Sequence, residues 1–146
     1  MSALTNNYET YEKPGLVVNY KLAASKVYKG ALLAVNSSGY CDSIAHGTAN
    51  MKFVGVANES VDNSSGSAGA KSINVTKIGS FVLKAASSYT PVQGDIGKEV
   101  YVNTNWEVQV ATTGLTNQYK VGTIVALETT STGATGVRVR IDNYTF

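Results

Sequence analysis

Apolar and polar positions alternate with a period of two along most of the chain. SINVTK (72–77) places Ile73 and Val75 on one face. SFVLKA (80–85) does the same for Phe81 and Leu83, and EVYVN (99–103) for Val100 and Val102. VRVRID (137–142) sets Val137, Val139 and Ile141 against Arg138, Arg140 and Asp142. Successive side chains of a strand point to opposite faces, so each of these segments predicts a half-buried strand. WEVQVA (106–111) shows the same pattern and predicts Trp106, Val108 and Val110 inside, with Glu107 and Gln109 outside. LVVNYKLAA (16–24), ALLAV (31–35) and KVGTIVALE (120–128) are further strand candidates, and Cys41 follows Tyr40 in another. MKFVGVA (51–57) is apolar on both faces, as a central strand buried on both sides would be. The segment 58–71, NESVDNSSGSAGAK, reads as a flexible loop. No stretch has convincing helical periodicity; one short helical turn near Pro91 to Gly97 is the most that fits. About ten short strands with Gly, Asn and Ser turns predict an all-β fold, a small barrel or sandwich.

A shift of 67 residues lays GALLAVNSSGYCDSIAHGTANMKFVG (30–55) on GKEVYVNTNWEVQVATTGLTNQYKVG (97–122) without a gap. Gly30 then meets Gly97, Val35 meets Val102, Asn36 meets Asn103 and Gly47 meets Gly114. Asn50, Val54 and Gly55 meet Asn117, Val121 and Gly122. The matched glycines and asparagines fall where a backbone turns or is closely approached. The reading is one β domain, 16–146, of two related units (about 28–85 and 95–142) preceded by an N-terminal arm, 1–15. Shared β-turn composition is the alternative account.

Composition narrows the chemistry. Charged residues make up 15% of the 146, well below the roughly 25% of an average soluble domain, and the formal net charge is +2. That predicts no strong binding to nucleic acid. The only arginines, Arg138 and Arg140, share a face with Asp142 and lie near Tyr144, with no basic cluster around them. The single cysteine, Cys41, allows no intrachain disulfide and reads as a packed thiol. Met1 to Lys13 is polar, so no secretion signal is expected, and no apolar run reaches the ~20 residues of a membrane-spanning helix.

Catalytic constellations are absent from the pattern. GDIGKEVYVN (94–103) contains the Gly-Lys pair of a phosphate-binding loop. Lys98 is followed by Glu99, position 92 is Val rather than Gly, and a strand follows in place of a helix. The lone histidine, His46, lies in the loop IAHGT and reads as a surface residue. His46 and Cys41 alone do not make a metal site, and the acids are dispersed, with Glu9 and Glu12 on the arm. The expectation is a protein that is not an enzyme, with no cofactor and no metal.

Nine tyrosines are the notable aromatics. Tyrosine joins apolar area to a polar tip, which suits interfaces. An extended arm cannot bury Tyr8 and Tyr11 in its own core. With Lys13 and Pro14 beside them, they are the candidate contacts to a neighbouring subunit.

The series YKGALLAVNSSGY, FVGVANESV, a Gly/Ala-rich loop, INVTKIGSFVLKA, GDIGKEVYV, KVGTIVALE and VRVRID occurs in that order. Over about residues 28–142 it resembles the head decoration, or capsid cement, proteins of tailed bacteriophages. The resemblance implies a structural protein on the outer capsid surface of the virion. Its implied partners are the major capsid protein and further copies of itself, commonly as a homotrimer at three-fold or quasi-three-fold positions that reinforces the expanded head. Two other readings compete. One is a carbohydrate or host-surface binding module, which needs an exposed aromatic platform, with Trp106 as the candidate. The other is a head–tail joining or tail-tube component.

Overall fold

The computed structural model describes residues 15–143. Tyr8, Tyr11, Lys13 and Pro14, and likewise Glu9, Glu12 and Tyr144, lie outside the described residues. The fold is all-β, with twelve strands: β1 (Val17–Lys21), β2 (Lys26–Val27), β3 (Leu32–Val35), β4 (Cys41–Ser43), β5 (Lys52–Ala57), β6 (Val61–Asp62), β7 (Ser72–Thr76), β8 (Ile78–Ala85), β9 (Glu99–Val102), β10 (Glu107–Gln109), β11 (Lys120–Thr129) and β12 (Thr135–Asp142). Among the described residues a single 3-10 turn, Gln93–Asp95, sits where the one short helical turn was expected.

The strands form two five-stranded sheets of the same design. The first has the order β1-β7-β5-β3-β4. The second has β8-β12-β11-β9-β10 and closes on itself through a parallel pairing of β8 with β10, Lys84 to Glu107 and Ala85 to Val108. In the first sheet the same two edges meet through one parallel bridge, Leu22 to Cys41. The 67-residue shift carries hydrogen bonds as well as residues. Gly30 N donates to Ala57 O at 2.9 Å, and Gly97 N to Ile124 O at 2.9 Å. Asn36 N donates to Tyr40 O at 2.9 Å, and Asn103 N to Glu107 O at 2.8 Å. At the seams Ala23 N donates to Cys41 O (2.8 Å) and Ala86 N to Val108 O (2.9 Å).

Gly55 and Gly122 show why both copies keep a glycine there. Each sits beside an irregularity in the pairing of its strand with β3 or β9. A Cβ on Gly55 would run into the carbonyl oxygen of Thr76, and one on Gly122 into that of Arg140. The neighbouring strand's backbone therefore passes too close for any side chain.

Segment 78–85, which the sequence reading grouped with the first unit, is hydrogen-bonded into the second: β8 pairs with β12 and β10. Conversely β1, ahead of residue 28, pairs with β7 in the first sheet. Each sheet thus uses contiguous chain, 17–76 and 78–142.

One apolar cluster fills the first sheet: Leu22, Val27, Leu33, Cys41, Val54, Ala57, Ile73 and Val75, among others. A second is built from Val100, Val102, Val108, Val121, Ile124, Val137, Val139 and Ile141, and runs on into Leu32, Ala34, Met51 and Val56 of the first unit. The other face of β3 and β5 therefore packs on the second sheet. This is why MKFVGVA is apolar on both faces. Burying a Val or Leu side chain stabilises a fold by about 1.5–3 kcal/mol, so this shared cluster binds the units firmly.

The segment 58–71 is not the loose loop its composition suggests. It contributes β6, paired with β2, and Asn63, which is 1% exposed. The Asn63 amide donates to the carbonyls of Ala23 (3.0 Å) and Ser67 (3.0 Å), with Leu22 O at 3.5 Å. One buried amide pins irregular backbone that has no sheet partner.

Candidate interaction surface

A cleft of about 450 Å³ lies at the junction of the two units. One wall is the segment ahead of β3, with Tyr28, Lys29 and Gly30. The other is formed by Val82 and Lys84 of β8, the β9–β10 turn with Asn105 and Trp106, and Thr130 to Thr132 between β11 and β12. Leu32 N donates to Asn105 O at 2.6 Å and ties the two walls together.

Trp106 is 45% exposed, against the expectation of burial. β10 begins only at Glu107, so the alternation that buries Val108 does not reach Trp106. Thr104 Oγ1 accepts from Glu107 N at 3.2 Å and holds the turn. The repeat carried the missed signal: the 67-residue shift lays Trp106 on Gly39, a turn glycine with φ +86°. Gln109 departs from expectation in the opposite direction and is buried, because its amide donates to Ala111 O (2.7 Å) and Thr113 O (3.2 Å) while its Oε1 accepts from Asn103 (2.9 Å).

Cations surround the aromatic rings. Lys84 Nζ stands 4.6 Å from the Trp106 ring centroid and 3.6 Å from a Glu107 carboxylate oxygen. Lys26 Nζ stands 5.1 Å from the Tyr28 ring and 3.8 Å from Asp62. Tyr28 itself is 62% exposed. Cation–ring contacts at exposed sites contribute only about 0.5–1 kcal/mol each, so they orient these side chains more than they hold the fold.

The other singled-out residues have structural partners. Lys98 Nζ donates to Asp95 Oδ1 at 2.9 Å. The same carboxylate accepts from Val92 N (3.1 Å) and the Tyr89 hydroxyl (2.9 Å). These bonds, Lys98 first, hold Asp95 below the usual carboxylate range. The Gly-Lys pair thus ends a capped turn. His46 is a strut between the units rather than a plain surface residue: its Nδ1 accepts from Thr116 N (3.1 Å) and its carbonyl from the Asn117 side chain (2.7 Å). Cys41 is buried, and burial first, then Asp42, pushes its thiol up to about 12. A thiol so protonated is a poor nucleophile. Arg138 faces Glu128 at 3.4 Å. Among the described residues, no group of three or more His, Cys, Asp or Glu side chains is placed to hold a metal ion.

No protein-family model matches the chain, and no curated protein matches it.

Proposed function

We propose that this chain is a structural protein of a tailed-phage virion that binds the outer surface of the capsid, as a trimer at three-fold or quasi-three-fold positions, and stabilises the expanded head. The observation that carries the reading is the ordered motif series. Its segments are the ones that build the paired framework: ALLAV gives β3, FVGVA β5, INVT β7, EVYV β9, KVGTIVALE β11 and VRVRID β12. The resemblance therefore rests on the scaffold itself and not on a short surface signature. A trimer on a shell engages several subunits at once, so individually weak contacts combine by avidity.

The test mixes the purified protein with expanded, undecorated heads of the phage that encodes it, followed by imaging of the shell. Ordered added density at three-fold positions, and heads that resist higher temperature, are expected. Heads that stay bare at saturating protein overturn the reading. Tyr8, Tyr11, Lys13 and Pro14 are proposed as contacts to the shell or to a second copy. Removal of residues 1–14 is then expected to abolish head binding while the melting curve of the β domain is retained; unchanged binding rules the arm out.

A further inference from the structure

We propose that the cleft between Tyr28 and Trp106 binds an acidic oligosaccharide, of the uronate or sialate kind, as a function separate from attachment to a shell. Trp106 is the chain's only tryptophan. It occupies a turn position that the other unit fills with Gly39, so the shared framework does not require an aromatic there. A large aromatic with nearly half its surface in water has given up burial that would stabilise the fold. Tyr28, more exposed still, stands on the opposite wall.

The volume between them, about 450 Å³, falls within the range usual for small-ligand sites, roughly 300–1,000 Å³. The lining combines three chemistries. Aromatic rings suit the C–H faces of a sugar. The Asn105 amide and the Thr132 hydroxyl can exchange hydrogen bonds with its hydroxyl rim. Lys29 and Lys84 supply positive charge. Lys84 is paired with the Glu107 carboxylate at 3.6 Å, and a ligand carboxylate would share it. Lys29 makes no ion pair among the described residues. A ligand carboxylate would gain charge-assisted hydrogen bonds from these ammonium groups, which favours acidic over neutral sugars. Two lysines in one short cleft do not make the long basic groove that tracks a nucleic acid backbone.

Because Trp106 is unique, any change in tryptophan fluorescence reports on this cleft. The experiment titrates the full-length protein with tri-galacturonate and sialyllactose, against maltotriose and lactose as neutral controls and a short oligothymidylate. A saturable response to at least one acidic sugar is expected, with neutral sugars about tenfold weaker or worse and Lys29→Ala about tenfold weaker for the acidic one. Trp106→Ala, checked for an unchanged melting curve, is expected to abolish the binding heat measured by calorimetry. No saturable response to either acidic sugar up to about 10 mM overturns the proposal. So does equal affinity for the neutral sugars, or tighter binding of the oligothymidylate. Loss of head binding by Trp106→Ala, with no sugar response in the parent protein, assigns the cleft to a protein partner and overturns it as well. The sugar titration needs no capsid, so it stands or fails apart from the decoration reading.

Discussion

At the parallel seam of the second unit lies Val108; at the corresponding point of the first lies Cys41. Where the second has Ile124, the first has Ala57. Where Ile141 closes the second interior, the first has Lys77, one residue beyond β7 and 3% exposed. Its Nζ donates to the Tyr20 hydroxyl at 2.8 Å. The second unit joins β11 to β12 by a tight turn, with Thr130 N donating to Ala134 O at 2.8 Å. The first joins β5 to β7 through the long segment pinned by Asn63. The same strand order is therefore filled in two ways. The unit with the larger aliphatic filling closes by a two-residue ladder. The unit with smaller and polar filling closes by one bridge and adds a polar plug. The backbone framework, set by the paired glycines and turn bonds, tolerates a change of contents that a single core would not.

The largest effect should come from what the units share. Gly55→Ala and Gly122→Ala each force a methyl group into a neighbouring strand's carbonyl. Each is expected to cost about 3 kcal/mol or more in urea unfolding, enough to leave a marginal domain unfolded. Similar losses at the two sites uphold the equivalence; a benign Gly122→Ala breaks it.

A smaller effect is expected from what only the first unit has. Asn63→Ala removes two amide hydrogen bonds, although Ala23 O still accepts from Ser25 N (2.8 Å) and Ser67 O from Ala70 N (3.1 Å). A lost hydrogen bond costs about 0.5–1.5 kcal/mol net, so a total of about 1–3 kcal/mol is expected. Hydrogen exchange should rise across residues 58–71 and β2 while β8 to β12 stay protected. A uniform rise would instead show that the plug supports both units.

The smallest effect is a pH dependence that begins in the first unit; above about pH 10 the Tyr89 hydroxyl of the second, held protonated by burial and by Asp95, adds to it. Burial pushes the Lys77 ammonium down from 10.5 to about 8. Above pH 8 the unfolded chain holds a proton there that the folded one has lost, so this group raises stability with pH between about 8 and 10.5. Cys41 acts in the opposite sense. Its folded thiol keeps its proton to about 12 while the unfolded one releases it near 9.0, which lowers stability over that window. A slight rise in melting temperature from about pH 8 to 9, a level stretch to about pH 10 and a fall above it are expected. Lys77→Met should erase the rise, and Cys41→Ala should carry it further upward. A flat profile in all three would show that neither group feels the interior.

The strands were legible because alternation is a local property: Val137, Val139 and Ile141 are buried as their spacing requires. The repeat was legible because its glycines answer to backbone geometry. Asn63 was not, since an asparagine in a Gly/Ser segment reads as solvated until the distant carbonyl of Ala23 is in place. Trp106 was misplaced because period-two phase says nothing about where a strand begins. The cleft draws on four separated segments, so neither its volume nor its cations could be read from any one of them. The tyrosines that carried the sequence-based site, Tyr8 and Tyr11, lie outside the described residues.

Lys77 has one more consequence, through its backbone. It is the single residue between β7 and β8. Its N–H donates to Leu16 O at 2.9 Å and its carbonyl accepts from Asn143 N at 3.1 Å. The chain thus enters the fold, crosses from one unit to the other and leaves at the same spot. Such a knot of beginning, middle and end suits circular permutation: a short linker from the residue after Asn143 back to Gly15 would span little distance, and new ends could open at the Thr130–Ala134 turn without crossing any sheet.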